Sequence, residues 1–444
     1  TWEASDYPDG QDEYPVSGVS WYEAAAYAEY AGKSLPSGWH WWSGAGFFID
    51  SWMRNHYYSN IIPFSNFNGR GPEPAGKFQG VNMFGAYDMA GNVREWCFNE
   101  TEAGRAIFGG AWDDAEYMYS SGSQLPPFDR SSKNGFRCVQ YIDRENIPEV
   151  VFQPSQSRKI TDYSKLEPVS DDIFRVYKNQ FLYDKTDLDA KIEERDDSPD
   201  DWIRETITFN AAYGNERVIA YLYLPKNSAP PFQTLIYFPG VGAIQIKKDL
   251  GNQRWVTWFI DYLMKNGRAV MFPVYKGTSV RNDGLTIDMS NVNRSHQFTE
   301  WLIAWTKDFS RSIDYLETRS DIDTTKLGFL GWSWGGEIGA VIPAVEERLK
   351  VNILVVGGFT GRAYPEADPI NYIPRIKIPV LMLNGRYDLW RPYQTNLKPF
   401  YDLLGTPEED KRLRLYETDH YVPKSEMIKE TLAWLDKYFG PPNK

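Results

Sequence analysis

The chain has 444 residues, 42% hydrophobic and 24% charged, the composition of a globular protein long enough for two or three domains. Its net charge of −12, with no Lys/Arg-rich run, repels polyanions and sets nucleic acid aside as a partner. No apolar run reaches the roughly 18 residues that a membrane-spanning helix needs, and two cysteines, Cys97 and Cys138, are too few for a disulfide scaffold.

The opening, "TWEASDYPDGQDEYPV", lacks the layout of a signal peptide and reads as mid-protein sequence. Residues 1–142 are rich in Trp, Gly, Asn and Tyr and hold one clear helix, "SWYEAAAYAEYAGK". Ser20 and Glu23 form a capping box at its start, and Gly32 fits its end. Residues 143–200 are charged and irregular and read as a connector, with a short amphipathic helix in "DDIFRVYKNQFLYD".

From residue 201 to 444 the texture becomes α/β. "IRETITFNAAYGNERVIAYLYLPK" alternates like two antiparallel strands around a turn. "TLIYFPG", "AVMFPVY", "KLGFLGW", "VNILVVGG" and "PVLMLNG" are short apolar runs separated mostly by helical segments. Buried parallel strands with crossover helices on both faces are the expected result.

One phrase carries chemistry. In "GFLGWSWGGEIGA" (328–340), Ser333 has glycines two residues before and after it, between an apolar strand and a helical segment. That is the setting of a nucleophile elbow, which exposes the serine oxygen and aims the next backbone N–H, that of Trp334, at a developing oxyanion. A serine hydroxyl needs a base. Of the four histidines, only His296 and His420 lie in this half. His420, in "YETDHYVP", sits on a loop after an apolar run, whereas His296 opens a helix and suits a surface or capping role. Asp388, in "PVLMLNGRYDLWRP", follows a strand and a turn and suits the acid that orients the base. Asp402, inside a helix, and Asp419, too near His420 in sequence, are its rivals. Glu337 reads as a helix residue near the site. Ser333, Asp388, His420 is the chain order of an α/β hydrolase.

On these motifs, residues from about 201 to 440 resemble the α/β-hydrolase superfamily, nearest its acetyl-xylan-esterase-like and prolyl-oligopeptidase-like branches. The resemblance implies a serine esterase that forms an acyl-enzyme on Ser333, needs no cofactor and acts on a small-molecule ester. The oxyanion loop departs from the family's His-Gly-Gly form; "LIYFPG" leads into "VGA", so Val241 is the second N–H donor by position. Trp332, Trp390 and Tyr275 suggest an aromatic-lined substrate pocket. A prolyl-oligopeptidase-like peptidase is the alternative enzyme, disfavoured because no β-propeller precedes the hydrolase. A non-catalytic ligand-sensing module is the alternative from another class, disfavoured because no triad residue is lost.

In the first part, "YPVSGVSWYEAAAYAEYAGKSLPS", "FGAYDMAGNVREWC", "FGGAW" and "NGFRCV" resemble the formylglycine-generating-enzyme (sulfatase-modifying factor) family over residues 13–141. That implies a mixed α+β, C-type-lectin-like fold. The family's copper-binding cysteines belong between "FGGAW" and "NGFRCV", where this chain has none. The resemblance therefore implies an inactive domain without copper, in which Cys97 and Cys138 are core residues or a disulfide. By position it also implies calcium, held by the Asp88 and Glu95 carboxylates and the Gly91 and Val93 carbonyls. A second family calcium site, near Asn60 and Ile61, is not completed in this sequence. The combination of parts looks like the tail of modular bacterial serine/threonine kinases, which implies a kinase domain upstream.

Overall fold

The glycine- and tryptophan-rich start of the chain builds a small sheet packed by helices. In the computed structural model, residues 7–46, 61–116, 118–154, 161–245, 251, 254–282 and 295–443 are described. Helix α1 (Trp21–Tyr30) begins where the sequence places it: the Glu23 N–H donates to the Ser20 hydroxyl, and the Glu23 carboxylate accepts from the Ser20 N–H at 2.8 Å. Such a cap is worth about 1 kcal/mol. The chain leaves the helix through Gly32 at φ +66°, a conformation that costs glycine little. Helix α2 (Gly38–Ala45) is capped by Ser37 and leaves through Gly46 at φ +91°.

Strand β1 (Arg94–Thr101) lies antiparallel to β2 (Gly104–Phe108), which pairs antiparallel with β3 (Ser123–Leu125). On its other side β1 runs parallel to β4 (Asn134–Phe136). The order is β3-β2-β1-β4. Ala24 and Ala28 of α1 pack with Trp96 and Ile107, and Trp41 and Ala45 of α2 pack with Cys97, Ala106 and Phe108.

The second part of the chain forms a nine-stranded sheet. After helix α3 (Asp171–Asn179), strands β5 (Lys191–Asp196), β6 (Trp202–Asn210) and β7 (Arg217–Pro225) form an antiparallel run. The hairpin expected around "AAYGN" is β6–β7, with Asn210 opposite Arg217. Then follow β8 (Phe232–Phe238), helix α4 (Arg254–Lys265), β9 (Ala269–Val274), helix α5 (His296–Leu316) and β10 (Ile322–Trp332). The short helix α6 (Trp334–Ile338), β11 (Leu349–Val355), β12 (Val380–Gly385), β13 (Lys411–Tyr416) and helix α7 (Lys424–Phe439) complete it. The sheet order is β13-β12-β11-β10-β8-β9-β7-β6-β5, and β9, β8, β10, β11 and β12 are mutually parallel.

Period-2 alternation sends neighbouring residues of one strand to opposite faces. In β8, Ile236 and Phe238 enter one core, with Phe298, Trp305, Phe309 and Ile313 of α5. Leu235 and Tyr237 enter the other, with Leu263 of α4 and Trp434 and Leu435 of α7. Helices therefore cover both faces, as burial of parallel strands requires. Edge strand β5 is charged and exposed, a composition that discourages further pairing. Among the described residues, no helix is long and apolar enough to cross a membrane.

The chain divides into two compact units, and their limits differ from the expected boundaries in two places. The larger unit begins at Thr161, so it includes most of the expected connector. The reason is apolar: Tyr163, Phe174 and Phe181 are buried in its first core. The smaller unit comprises residues 1–160 together with two turns from the second half, Gly385–Pro392 and Glu417–Tyr421.

Candidate active site

The elbow is built by close approach. Ser333 joins β10 to α6 at φ +54° and ψ −103°, a strained conformation for a residue with a side chain. Its N–H donates to the Val355 carbonyl of β11 at 2.8 Å, so the sheet holds the turn. A Cβ on Gly335 would lie 2.1 Å from the Phe238 carbonyl oxygen, and one on Gly331 would lie 2.3 Å from that of Gly335. The two flanking glycines are thus required by space at these backbones. The loop after β8 lies beside the serine: a Cβ on Gly240 would be 3.6 Å from the Ser333 Cβ. Val241, the next residue, is half-buried, and its carbonyl accepts from the Ile244 N–H.

The acid and base meet in the smaller unit. Asp388 lies three residues beyond β12, and its buried carboxylate is 2.7 Å from His420 Nδ1. Its other oxygen accepts from the N–H groups of Trp390 (2.9 Å) and Arg391 (3.3 Å). Burial pushes the Asp388 carboxyl up, but His420, Arg391 and the N–H donors outweigh it and hold the group below its ordinary value. Asp388 is therefore an ionised acceptor. An acceptor at that oxygen places the proton on His420 Nδ1 and leaves Nε2 as the basic nitrogen. Because the carboxyl is held down in the folded state, its contribution to stability is present above its unfolded value and is lost as pH falls through the folded one.

The turns that carry these groups are clipped together. The Tyr387 N–H donates to the Thr418 carbonyl at 2.9 Å. Glu417 accepts from the Tyr387 hydroxyl at 2.6 Å and from Arg386 at 2.7 Å. Gly385 approaches the second turn so closely that a Cβ on it would lie 1.7 Å from the Asp419 carbonyl oxygen.

The other residues singled out fall as follows. Asp402 is an exposed partner of Lys398 on a short helix, and Asp419 is buried, while the carboxylate on His420 Nδ1 is that of Asp388. His296 is exposed and stacks on Tyr364, and Glu337 is buried and accepts from the Thr360 hydroxyl. Tyr275 requires correction. It is fully buried, stacked on Phe238 with centroids 4.0 Å apart, and its hydroxyl donates to the Tyr237 carbonyl, so it is core and not a pocket wall. Trp332 is half-buried against Phe259, and Trp390 is half-buried in the acid turn. The Trp334 ring is core, edge-on to Trp305 and Phe238. Gly240, Gly385 and Leu389 were not singled out by sequence; only the glycines carried a signal, as turn residues after strands.

Cys97 and Cys138 are both free, so the disulfide does not form. Burial pushes both thiols up, Cys97 well above its ordinary value. The Glu95 carboxylate accepts from Trp41 Nε1 at 2.7 Å and forms an ion pair with Arg137 at 2.7 Å. Asp88 accepts from the Gly76 N–H at 2.7 Å. Among the described residues, no group of three or more His, Cys, Asp or Glu side chains could hold a metal ion. As placed, Asp88 and Glu95 do not fit calcium well, because Arg137 already neutralises Glu95. Asn60 lies outside the described residues.

Two family models match separate parts of the chain. Residues 3–142 match the family model described as sulfatase-modifying factor enzyme 1-like domain, and residues 279–442 match the PET hydrolase-like model. The second match contains Ser333, Asp388 and His420. The chain is 30% identical over 168 residues to the serine/threonine-protein kinase pkn1 of Chlamydia caviae, covering 30% of this chain and 25% of that protein. It thus spans about a quarter of the length of that relative. It is 23% identical over 213 residues to cutinase est2 of Thermobifida alba, covering 46% of this chain and 63% of the relative. Among solved structures, acetyl xylan esterase 1 from Thermoanaerobacterium sp. JW/SL YS485 has a TM-score of 0.49 at 17% identity, covering 62% of this chain and 96% of that one.

The close contact at Gly385 sets the first expectation. Gly385→Ala must displace the turn that carries His420, and should lower the rate of ester hydrolysis by roughly a hundredfold. Secondary structure by circular dichroism should be unchanged. A variant with wild-type turnover would show that the two turns are not held by this approach.

Proposed function

From a chain that carries a sulfatase-modifying-factor-like domain followed by a PET-hydrolase-like α/β-hydrolase domain, we propose a serine carboxylic-ester hydrolase acting through an acyl-enzyme. Ser333 Oγ attacks the ester carbonyl while His420 Nε2 takes its proton. The N–H groups of Trp334 and Val241 stabilise the oxyanion of the tetrahedral intermediate. The imidazolium, oriented and stabilised by Asp388, then protonates the departing alcohol. Water enters by the same steps in reverse, releases the acid and restores Ser333. No cofactor takes part. The observation that carries the reading is the ionised Asp388 on His420 Nδ1, together with a serine held at positive φ between strand and helix. An ester carbonyl that Ser333 can reach, with an alcohol as leaving group, is all that this machinery requires of its substrate.

For the sulfatase-modifying-factor-like domain we propose a supporting role without oxidase chemistry. Copper in that family needs a pair of thiolates, which are soft ligands, and here both thiols are held protonated by burial. We assign Arg137, rather than calcium, as the counter-ion of Glu95. The kinase relative supports the reading that a kinase domain belongs to the whole protein.

Ser333→Ala should abolish hydrolysis of p-nitrophenyl acetate while the fold is retained, and His420→Ala should cost nearly as much. Asp388→Asn should leave more residual activity than either. Wild-type turnover by Ser333→Ala would remove the mechanism. For the first domain, a sulfatase-type cysteine peptide incubated with copper-loaded protein should keep its sulfur by mass spectrometry. A chelator should leave the melting temperature unchanged; a rise on adding calcium would restore the ion to the Asp88–Glu95 turn.

A further inference from the structure

The turn that bears Asp388 has two kinds of support. One is local, the N–H groups of Trp390 and Arg391 on its carboxylate. The other comes from far earlier in the chain. Leu389, the residue after the acid, is 4% exposed and belongs to the apolar cluster that contains Trp41, Ala45, Ile62, Phe67, Met89 and Phe108. Tyr387, the residue before the acid, packs against the same cluster and also clips the His420 turn through Thr418 and Glu417. Asp388 is thus flanked on both sides by residues seated in one core, that of the smaller unit.

We infer that Leu389 is a positioning residue: seated in the core that contains Trp41, Ile62, Phe67, Met89 and Phe108, it fixes the turn that holds the Asp388 carboxylate on His420 Nδ1. The physical reason is that the turn is only eight residues long and carries a buried charge. Its carboxylate is bound by directional contacts, which a shift of about 1 Å weakens severely. A leucine in a close-packed cluster cannot move by that distance without opening a void.

The inference rests on the proposed Ser333–Asp388–His420 mechanism, and its test separates the two. Leu389→Ala, Leu389→Val and Leu389→Met are made in the whole chain, beside Ser333→Ala. Leu389→Ala should lower kcat for p-nitrophenyl acetate by roughly ten- to a hundredfold, with KM changed by less than about threefold. Its kcat/KM should rise with pH at a lower pH than in the wild type, because an imidazolium without its carboxylate is less stable. Leu389→Met, which conserves volume, should recover most of the rate. Leu389→Val gives the same readouts, in smaller measure, if the alanine variant does not fold. Met89→Ala, which opens the same cluster from the other side, should reproduce the direction of both changes. A Leu389→Ala or Leu389→Val protein that melts lower but keeps the wild-type kcat and pH profile would overturn the inference, and would leave the mechanism standing if Ser333→Ala is inactive. Activity in Ser333→Ala would overturn both.

Discussion

A carboxylate with none of its side chain exposed must be compensated or it will take up a proton. Asp388 is compensated three times, by His420, by two backbone N–H groups and by the nearby Arg391. Much of the surrounding structure serves this one group. The glycine at 385 lets the two turns approach, the Tyr387 and Glu417 bonds clip them, and Leu389 seats the acid turn in an apolar core. If the carboxylate were lost, His420 Nδ1 would lose the acceptor that fixes its tautomer.

The serine is constrained by different means. Its backbone, at positive φ, is held by the hydrogen bond from its N–H to Val355 and by lack of space around the glycines beside it. Phe238 of β8 and Gly335 of α6 approach so closely that only glycine fits beside Ser333, and the N–H of Ser333 itself is held by β11. The strain of a side chain at positive φ is borne by three parallel strands whose residues are buried on both faces. A rigid sheet is what permits a serine at a strained backbone conformation.

The sequence made part of this legible because some constraints are local. The elbow needs glycines at fixed offsets, and a capping box needs Ser20 and Glu23 three apart; both can be read from spacing alone. The order Ser333, Asp388, His420 followed from strands ending in turns, and the structure brings the last two to 2.7 Å. What was illegible depends on partners distant in sequence. Tyr275 beside a strand end looked like a pocket wall, but Phe238 and the Tyr237 carbonyl make it core. The span expected as a connector carries Phe174 and Phe181, whose burial depends on residues nearly two hundred positions later. Leu389 looked like any apolar residue in a turn, and nothing in its neighbours announces the cluster it joins.

The central claim is that Ser333 is made nucleophilic by His420 under the control of a buried Asp388. A fluorophosphonate that phosphonylates activated serines, followed by peptide mass spectrometry, tests it most directly, because the reaction reports nucleophilicity without regard to the natural ester. The account predicts a single adduct on the peptide that contains Ser333 in the wild type, formed far more slowly in His420→Ala and at an intermediate rate in Asp388→Asn. Labelling of Ser333 at the wild-type rate in His420→Ala, or an adduct on another serine alone, would contradict it.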